Sequence, residues 1–240
     1  MTNILNKRAI ILTATIIPNS IYTSHVNPEN RLNDYITALK FYCNIFKNDD
    51  VFFIENSEYD LDNNNLFNEL KSTLKFKVIR FPKSNEFDRG KGYQEFEMLQ
   101  KTIELLKNEY NFYIKITGRY IIKNIYNITK NYKNGYYIDL RTKTKAAEVY
   151  LLAFDIDSFN SNIFDAYKLV NDIQGIYIEQ ILFSNAINTK IKSKVHLFTP
   201  LLSGISGSNS IILKRNIVRV ILRNFERVFN RLIGKNQFFY

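Results

Sequence analysis

The 240-residue sequence has one cysteine and two histidines. The lone Cys43 excludes an internal disulfide, and with His25 and His196 it leaves too few ligands for a zinc site. Cys43 lies in the mixed apolar stretch "ALKFYCNIF" and reads as a packed thiol. There is no cleavable leader pattern and no unbroken apolar run of about 18 residues, which predicts a cytosolic protein. Also missing are a Gly-x-Ser-x-Gly elbow, a P-loop lysine, a dinucleotide fingerprint, internal repeats and low-complexity linkers. Acidic side chains are in deficit: 33 Lys and Arg against 23 Asp and Glu leave a net charge of +10. The expected partners are therefore anionic, namely nucleic acid, a phospholipid surface or a phosphorylated small molecule. What is abundant is apolar surface, 45% hydrophobic and 15% aromatic residues, enough to offset the entropy of ordering and exclude a disordered chain.

"RAIILTATII" (8 to 17) is a short β-branched run closed by Pro18 and Asn19, a buried strand followed by a loop that carries His25 as a ligand-facing candidate. From Leu32 to Phe46 the apolar residues recur at helical spacing. "DVFFIENS" (50 to 57) is a second strand ending in Glu55, Asn56 and Ser57, and "FKVIRF" (76 to 81) a third. A loop with Gly90 and Gly92 leads into a helix from about Gln94 to Asn108. "YNFYIKITGRYIIKN" (110 to 124) opens as a fourth strand, then places Lys115, Thr117, Gly118 and Arg119 where the apolar alternation stops. Strands alternating with helices predict an α/β fold, a mostly parallel sheet covered on both faces. Ligands of such sheets bind beyond the carboxyl ends of the strands, where Thr13, Glu55, Lys115 and Arg119 converge.

The second half is less regular. A helix is predicted over 123 to 131, strands over 135 to 140 and 147 to 156, a helix from Asp157 or Ser158, a helix around Glu179, and an extended segment over 194 to 200. "LLSGISGSNS" (201 to 210), which includes Ser206, reads either as a loop folding over a diphosphate or as a connector. From Ile211 to Ile233, Arg215, Arg219, Arg223, Arg227 and Arg231 stand four apart on a basic amphipathic helix. The division expected is a domain over 1 to 208 and a basic helical tail over 209 to 240. The tail either lies on an anionic membrane surface or packs on the domain.

The order of elements, with "FFIENS" ending one strand, "GKGYQEFEMLQKTIEL" entering a helix and a strand after it, resembles nucleotide-sugar glycosyltransferases of the GT-A fold, a Rossmann-type architecture, over roughly residues 8 to 190. That family carries Asp-x-Asp at the end of the fourth strand, holding a divalent cation on the donor diphosphate. Here "KITGRY" stands instead. The resemblance then implies a metal-independent variant in which Lys115 and Arg119, with backbone N–H groups near Thr117 and Gly118, stabilise the departing diphosphate. It implies that Glu55 and Ser57 hold the donor nucleoside, Glu55 capping a turn being the alternative, and that Thr13 is a further donor-binding residue. Arg89 and Lys91, in a loop at a helix N-terminus, either meet donor oxygens or serve as ordinary capping. "GIYIEQILF" resembles the family's acidic helix start, which makes Glu179 the base that deprotonates the acceptor hydroxyl in an inverting transfer; Gln180 replaces the second acid.

Asp139 and Arg141 either touch the acceptor or pair with each other. "FDID" places Asp155 and Asp157 as an alternative Mg or Mn pair, or as the N-cap of a helix. His196 reads as packed. The function implied is transfer of a sugar from a nucleotide-sugar donor to a bacterial surface glycan (lipooligosaccharide, O-antigen or capsule), without a required cofactor and without nucleic acid as partner, by a cytoplasmic enzyme held on the inner face of the inner membrane. The competing expectations are a basic nucleic-acid-binding protein and a metal-dependent nucleotidyltransferase using Asp155 and Asp157.

Overall fold

The computed structural model describes residues 7–20, 23–205 and 217–232. Four β-branched and aromatic runs form β1 (Arg8–Ala14), β2 (Asp50–Glu55), β3 (Lys77–Arg80) and β4 (Phe112–Thr117). Between them run α1 (Pro28–Ile45), α2 (Asn65–Thr73) and α3 (Lys91–Leu106). Then follow β5 (Ile121–Ile122), α4 (Ile125–Thr129), β6 (Tyr136–Arg141), β7 (Ala146–Asp155), α5 (Ile156–Asn162), α6 (Ile178–Asn188), β8 (Ser193–Lys194), β9 (Leu202–Ser203) and α7 (Ile217–Leu232).

Among the described residues the main sheet has the order β3-β2-β1-β4-β7-β6-β8. β1 to β4 pair in parallel, and β7 runs antiparallel to both β4 and β6. The mostly parallel α/β sheet expected from the alternation is therefore present. After β3 the chain crosses back over β1 through α3 and enters β4 on the other side, so the strand order reverses between β1 and β4. The helices reverse with it. One apolar core joins α1, α2 and α4 to one face through Ile10, Leu12 and Phe53. The other joins α3, α5 and α6 to the opposite face through Ile11, Phe52 and Tyr113.

Several elements differ from the sequence reading. α1 starts four residues before Leu32, because the Asn27 side chain accepts from the Asn30 N–H and Pro28 takes the first turn, where its missing N–H costs nothing. The helix over 123 to 131 contracts to α4. Of the extended segment over 194 to 200 only Lys194 pairs, in β8, and β5 with β9 forms a small separate ribbon.

The tail helix meets the body through a buried ion pair. Arg227 donates to both carboxylate oxygens of Asp139 in β6, at 2.9 and 2.7 Å, and to the His196 carbonyl at 2.6 Å. Asn224 accepts from the Thr199 N–H at 2.8 Å. Asp139 is thus not an acceptor-binding group: it is spent on Arg227. Arg141 pairs instead with Glu148, its Nε 2.6 Å from the carboxylate on the exposed β6–β7 hairpin. His196 is packed, its ring between the Tyr132 hydroxyl at 2.9 Å and the Leu151 carbonyl at 3.2 Å. Cys43 is a free buried thiol, pushed up to about 11 by its burial.

Burial alone would raise the Asp139 carboxyl; Arg227 and His196 outweigh it and hold it below the usual carboxylate range. A depressed folded-state value means that the pair's contribution is complete above the unfolded value, about 3.9, and is lost as pH falls through the folded one. Arg227→Leu, which strands a buried carboxylate, is expected to cost about 3–5 kcal/mol in urea unfolding at pH 7. The double variant Asp139→Leu/Arg227→Leu should cost less than that single change, since the uncompensated charge goes with it.

Candidate functional site

The reversal between β1 and β4 leaves a crevice at their carboxyl ends, the place where open α/β sheets bind ligands. A cleft of about 880 Å³ occupies it. Thr13 to Thr15 and Thr117 form its floor, Lys91 to Met98 on α3 one wall, Ala146 to Tyr150 on β7 another, and Tyr177 to Gln180 at the start of α6 a third, with Arg119, Asp172 and the loop after β1 at the rim.

The floor is organised by Glu95. Strand alternation points Thr13, Lys115 and Thr117 to the sheet face that α3 covers. There one oxygen of Glu95 accepts from the Thr13 hydroxyl at 2.6 Å and the Thr117 hydroxyl at 3.1 Å, and meets the Lys115 ammonium at 2.6 Å. Lys115 has no exposed surface and also donates to the Val149 carbonyl at 2.7 Å. This corrects the reading of Lys115 as a phosphate ligand, because a carboxylate neutralises it below the cleft. Burial raises the Glu95 carboxyl, and Lys115 with the two hydroxyls more than offsets that, holding it below its usual range. Gly118 brings β1 and β4 close: its N–H donates to the Thr13 carbonyl at 2.9 Å, and a Cβ there would lie 2.7 Å from that oxygen.

The α3 N-terminus is likewise taken from within. Asp172, between α5 and α6, accepts from the Lys91 N–H. A Cβ on Gly90 would lie 2.1 Å from the Asp172 carboxyl carbon, and Gly90 has φ +115°, so glycine is required twice over. The anion site expected at this helix end holds the protein's own carboxylate. Arg89 does not reach the cleft: its Nε donates to the Val170 carbonyl at 2.9 Å, its Nη1 pairs with Glu86 at 2.8 Å, and its guanidinium lies over Tyr93.

Glu55 and Ser57 also fall outside the cleft. Odd-numbered residues of β2 face the α1 side, and there Glu55, only 1% exposed, accepts from the N–H groups of Ile16 and Ser57 at 3.2 and 2.8 Å and from the Ser57 hydroxyl. The Ser57 oxygen in turn accepts from Ile16 and Ile17. The pair fastens the loop after β1, so Glu55 is the turn-capping alternative. His25 pairs with Asp34 at 3.0 Å. Asp155 and Asp157 lie at the far end of the sheet: Asp155 stands opposite Phe112, where β4 begins, caps α5 by accepting from the Ser158 N–H at 2.8 Å, and also accepts from the Gly135 N–H before β6 at 2.5 Å. That removes the alternative metal pair from the cleft. Among the described residues no three His, Cys, Asp or Glu side chains converge as a metal-ligand group. Ser206 lies outside the described residues.

Of the residues singled out from sequence, Thr13, Lys91, Thr117, Arg119 and Glu179 meet in the cleft. Arg119 donates to the Ile205 carbonyl at 2.7 Å while lining it. Glu179 sits in the first turn of α6, half-buried. Its carboxyl is raised above the usual range, first by burial, against its own N–H and Lys91, with Glu95 and Asp172 adding to the rise. Burial likewise raises Asp172. Sequence reasoning missed Glu95 and Asp172. The available signal for Glu95 was an acid inside the α3 apolar seam of Gly92, Phe96, Leu99 and Ile103; for Asp172 there was only the unexplained glycine at 90.

The fold and this cleft define an α/β protein with a ligand-sized crevice at its strand reversal, carrying the raised carboxyls of Asp172 and Glu179 and the cations Arg31, Lys91 and Arg119. No protein-family model matches the chain, and no curated protein sequence does. Among solved structures it is similar to a protein from Desulfovibrio desulfuricans G20 assigned as a nucleotide-diphospho-sugar transferase, at 12% identity over 80% of each chain with a TM-score of 0.46. It is similar at 8% identity to a glycosyltransferase involved in glycosylation of the major capsid of PBCV-1, over 79% of this chain and 81% of that one, TM-score 0.47. A nucleoside-diphosphate-sugar pyrophosphorylase from Vibrio cholerae RC9 is similar at 12% identity over 78% of this chain and 91% of that one, TM-score 0.46. At that level of likeness the residues of the cleft, not the neighbours, decide what it can do.

The Glu95–Lys115 pair gives a direct test of the floor. Lys115→Met should lower stability by about 3–5 kcal/mol at pH 7, because Glu95 is left buried and uncompensated, and adding Glu95→Gln should recover part of the loss. Thermal or urea unfolding reads both; an undisturbed Lys115→Met protein would place the ammonium in solvent instead.

Proposed function

We propose that the protein is an inverting glycosyltransferase that takes a nucleotide sugar in the cleft between β1 and β4. The observation that carries this reading is Glu179, a carboxylate in the wall of a cleft at the strand reversal, with a raised carboxyl and cations on the same rim. The volume suits a small-molecule ligand, whose sites run to roughly 300–1,000 Å³. In this reading Glu179 takes the proton of the acceptor hydroxyl as its oxygen bonds to the anomeric carbon. The bond from that carbon to the diphosphate breaks on the opposite side, and the electron pair leaves on the phosphate oxygen. Arg119 and Lys91 meet the charge so released, with no divalent ion required. Thr13 and Thr117 orient the donor from the floor, and Lys115 acts only by holding Glu95.

The acceptor in this proposal is a growing bacterial surface glycan, lipooligosaccharide, O-antigen or capsule, met at the cytoplasmic face of the inner membrane. The basic chain, with its net charge of +10, supports an anionic setting. Nucleic acid is the weaker partner because the cleft brings carboxylates, not a cationic track, to its walls.

Glu179→Gln is expected to lower kcat by about 10²–10⁴-fold while leaving donor affinity unchanged. In the parent enzyme activity should rise with pH as Glu179 loses its proton, along a limb displaced above the ordinary glutamate value of about 4.3, and the variant should lose that limb. A panel of nucleotide sugars titrated by calorimetry, with and without EDTA, tests the donor. Absence of binding to every member would overturn the reading, and binding or turnover abolished by EDTA would overturn its metal independence.

A further inference from the structure

The tail helix is mounted inside out. Arg227, at 1% exposure, Asn224 and Val220 face the body. Val218, Ile221, Leu222, Phe225, Val228 and Phe229 face solvent, with Phe225 71% and Phe229 63% exposed. At 100° per residue these six fall on one arc about 120° wide, so α7 presents a continuous apolar stripe away from the protein. Water disfavours such a stripe, and contiguous exposed apolar surface marks a docking face. The Asp139–Arg227 pair sets the roll of the helix: the guanidinium grips both carboxylate oxygens, and turning Phe225 inward would pull that charge out of its pair.

Two properties choose the occupant. The stripe is small: 16 residues make a helix about 24 Å long and about 10 Å across. That is a few hundred Å² at most, short of the roughly 800 Å² per partner that a stable dimer buries. Charge is the second. Apart from Arg227, which Asp139 neutralises, the helix sequence holds Arg219, Arg223 and Arg231 against Glu226 alone, in a chain of net charge +10, so a second copy is repelled and an anionic surface attracted. Among the described residues no helix is long and apolar enough to cross a membrane. We propose that α7 is a monotopic anchor whose apolar stripe enters the interface of an anionic phospholipid bilayer, with the Asp139–Arg227 pair presenting it. This joins the two sequence expectations for the tail, membrane contact and packing on the domain: the Arg227 side packs on the body and the apolar stripe is left outward. It draws on the catalytic reading only for a membrane-borne acceptor.

The test is flotation of the full chain with vesicles of phosphatidylcholine alone and of phosphatidylcholine with phosphatidylglycerol, alongside Phe225→Glu/Phe229→Glu. The wild type should float with the anionic vesicles and the double variant bind at least about tenfold less, as loss of two buried phenyl groups requires, with its unfolding transition unchanged. The Asp139→Leu/Arg227→Leu variant, with the helix unclamped, should also bind less. A wild type that stays at the bottom of the gradient, a double variant that floats equally well, or a dimer in light scattering that the double variant loses would each overturn the proposal. Donor binding is measured separately, so failure of vesicle binding and failure of the transferase reading are distinguishable.

Discussion

The cleft depends on one carboxylate oxygen. β1 and β4 lie side by side, but the chain leaves them in opposite directions, and the space at their carboxyl ends would otherwise be filled only by loops. Glu95 reaches into it from α3 and ties the last turns of both strands together through Thr13, Thr117 and Lys115. A hydrophobic pair of similar volume would pack there at least as favourably, but it would take the acceptor away from both threonine hydroxyls. The ionic arrangement instead fixes the floor, the position of α3 and, one turn back, Lys91 and Gly92 at the rim. Preorganised polar groups in a partly water-excluded site are what transition-state stabilisation needs.

Much of the scaffold is legible in the sequence because its signals are local. Runs such as "RAIILTA" and "DVFFIE" can bury both faces only in a covered parallel sheet, and the spacing from Leu32 to Phe46 has no other apolar period. The site is less legible because it depends on which face a residue takes. Lys115 looks like a residue at a strand mouth, yet β4 continues to Thr117 and parity turns the lysine onto α3. Glu55 ends its strand as expected, but parity points it to the α1 side. Asp139 alternates with the buried Tyr136, Ile138 and Leu140, and the local sequence offers it only Arg141 or an acceptor as a partner. Its partner Arg227 lies 88 residues away, and no local pattern announces it. The tail shows the same limit: periodicity identifies an amphipathic helix, but not which side the body will take.

These pairings redistribute charge across the molecule. The cleft rim and walls hold Glu95, Glu148, Asp172 and Glu179 with Arg31, Lys91 and Arg119, and Lys115 lies just beneath Glu95. Four carboxylates therefore face four cations, and the excess of +10 in the chain lies elsewhere. Arg31 is already committed to the Thr15 and His25 carbonyls. A diphosphate entering this cleft would consequently not be drawn by a broad positive field, which is screened within about 8–10 Å in any case. It would have to be recognised by directed contacts from Arg119 and Lys91. The near-neutral cleft suits proton transfer better than electrostatic capture: with its neighbours balanced, burial is left as the main influence on Glu179, and burial is the influence that raises a carboxyl toward the pH at which it can act as a base. The surplus charge outside the cleft is then available to bring the whole protein to an anionic surface, a task that needs attraction at range and little geometry.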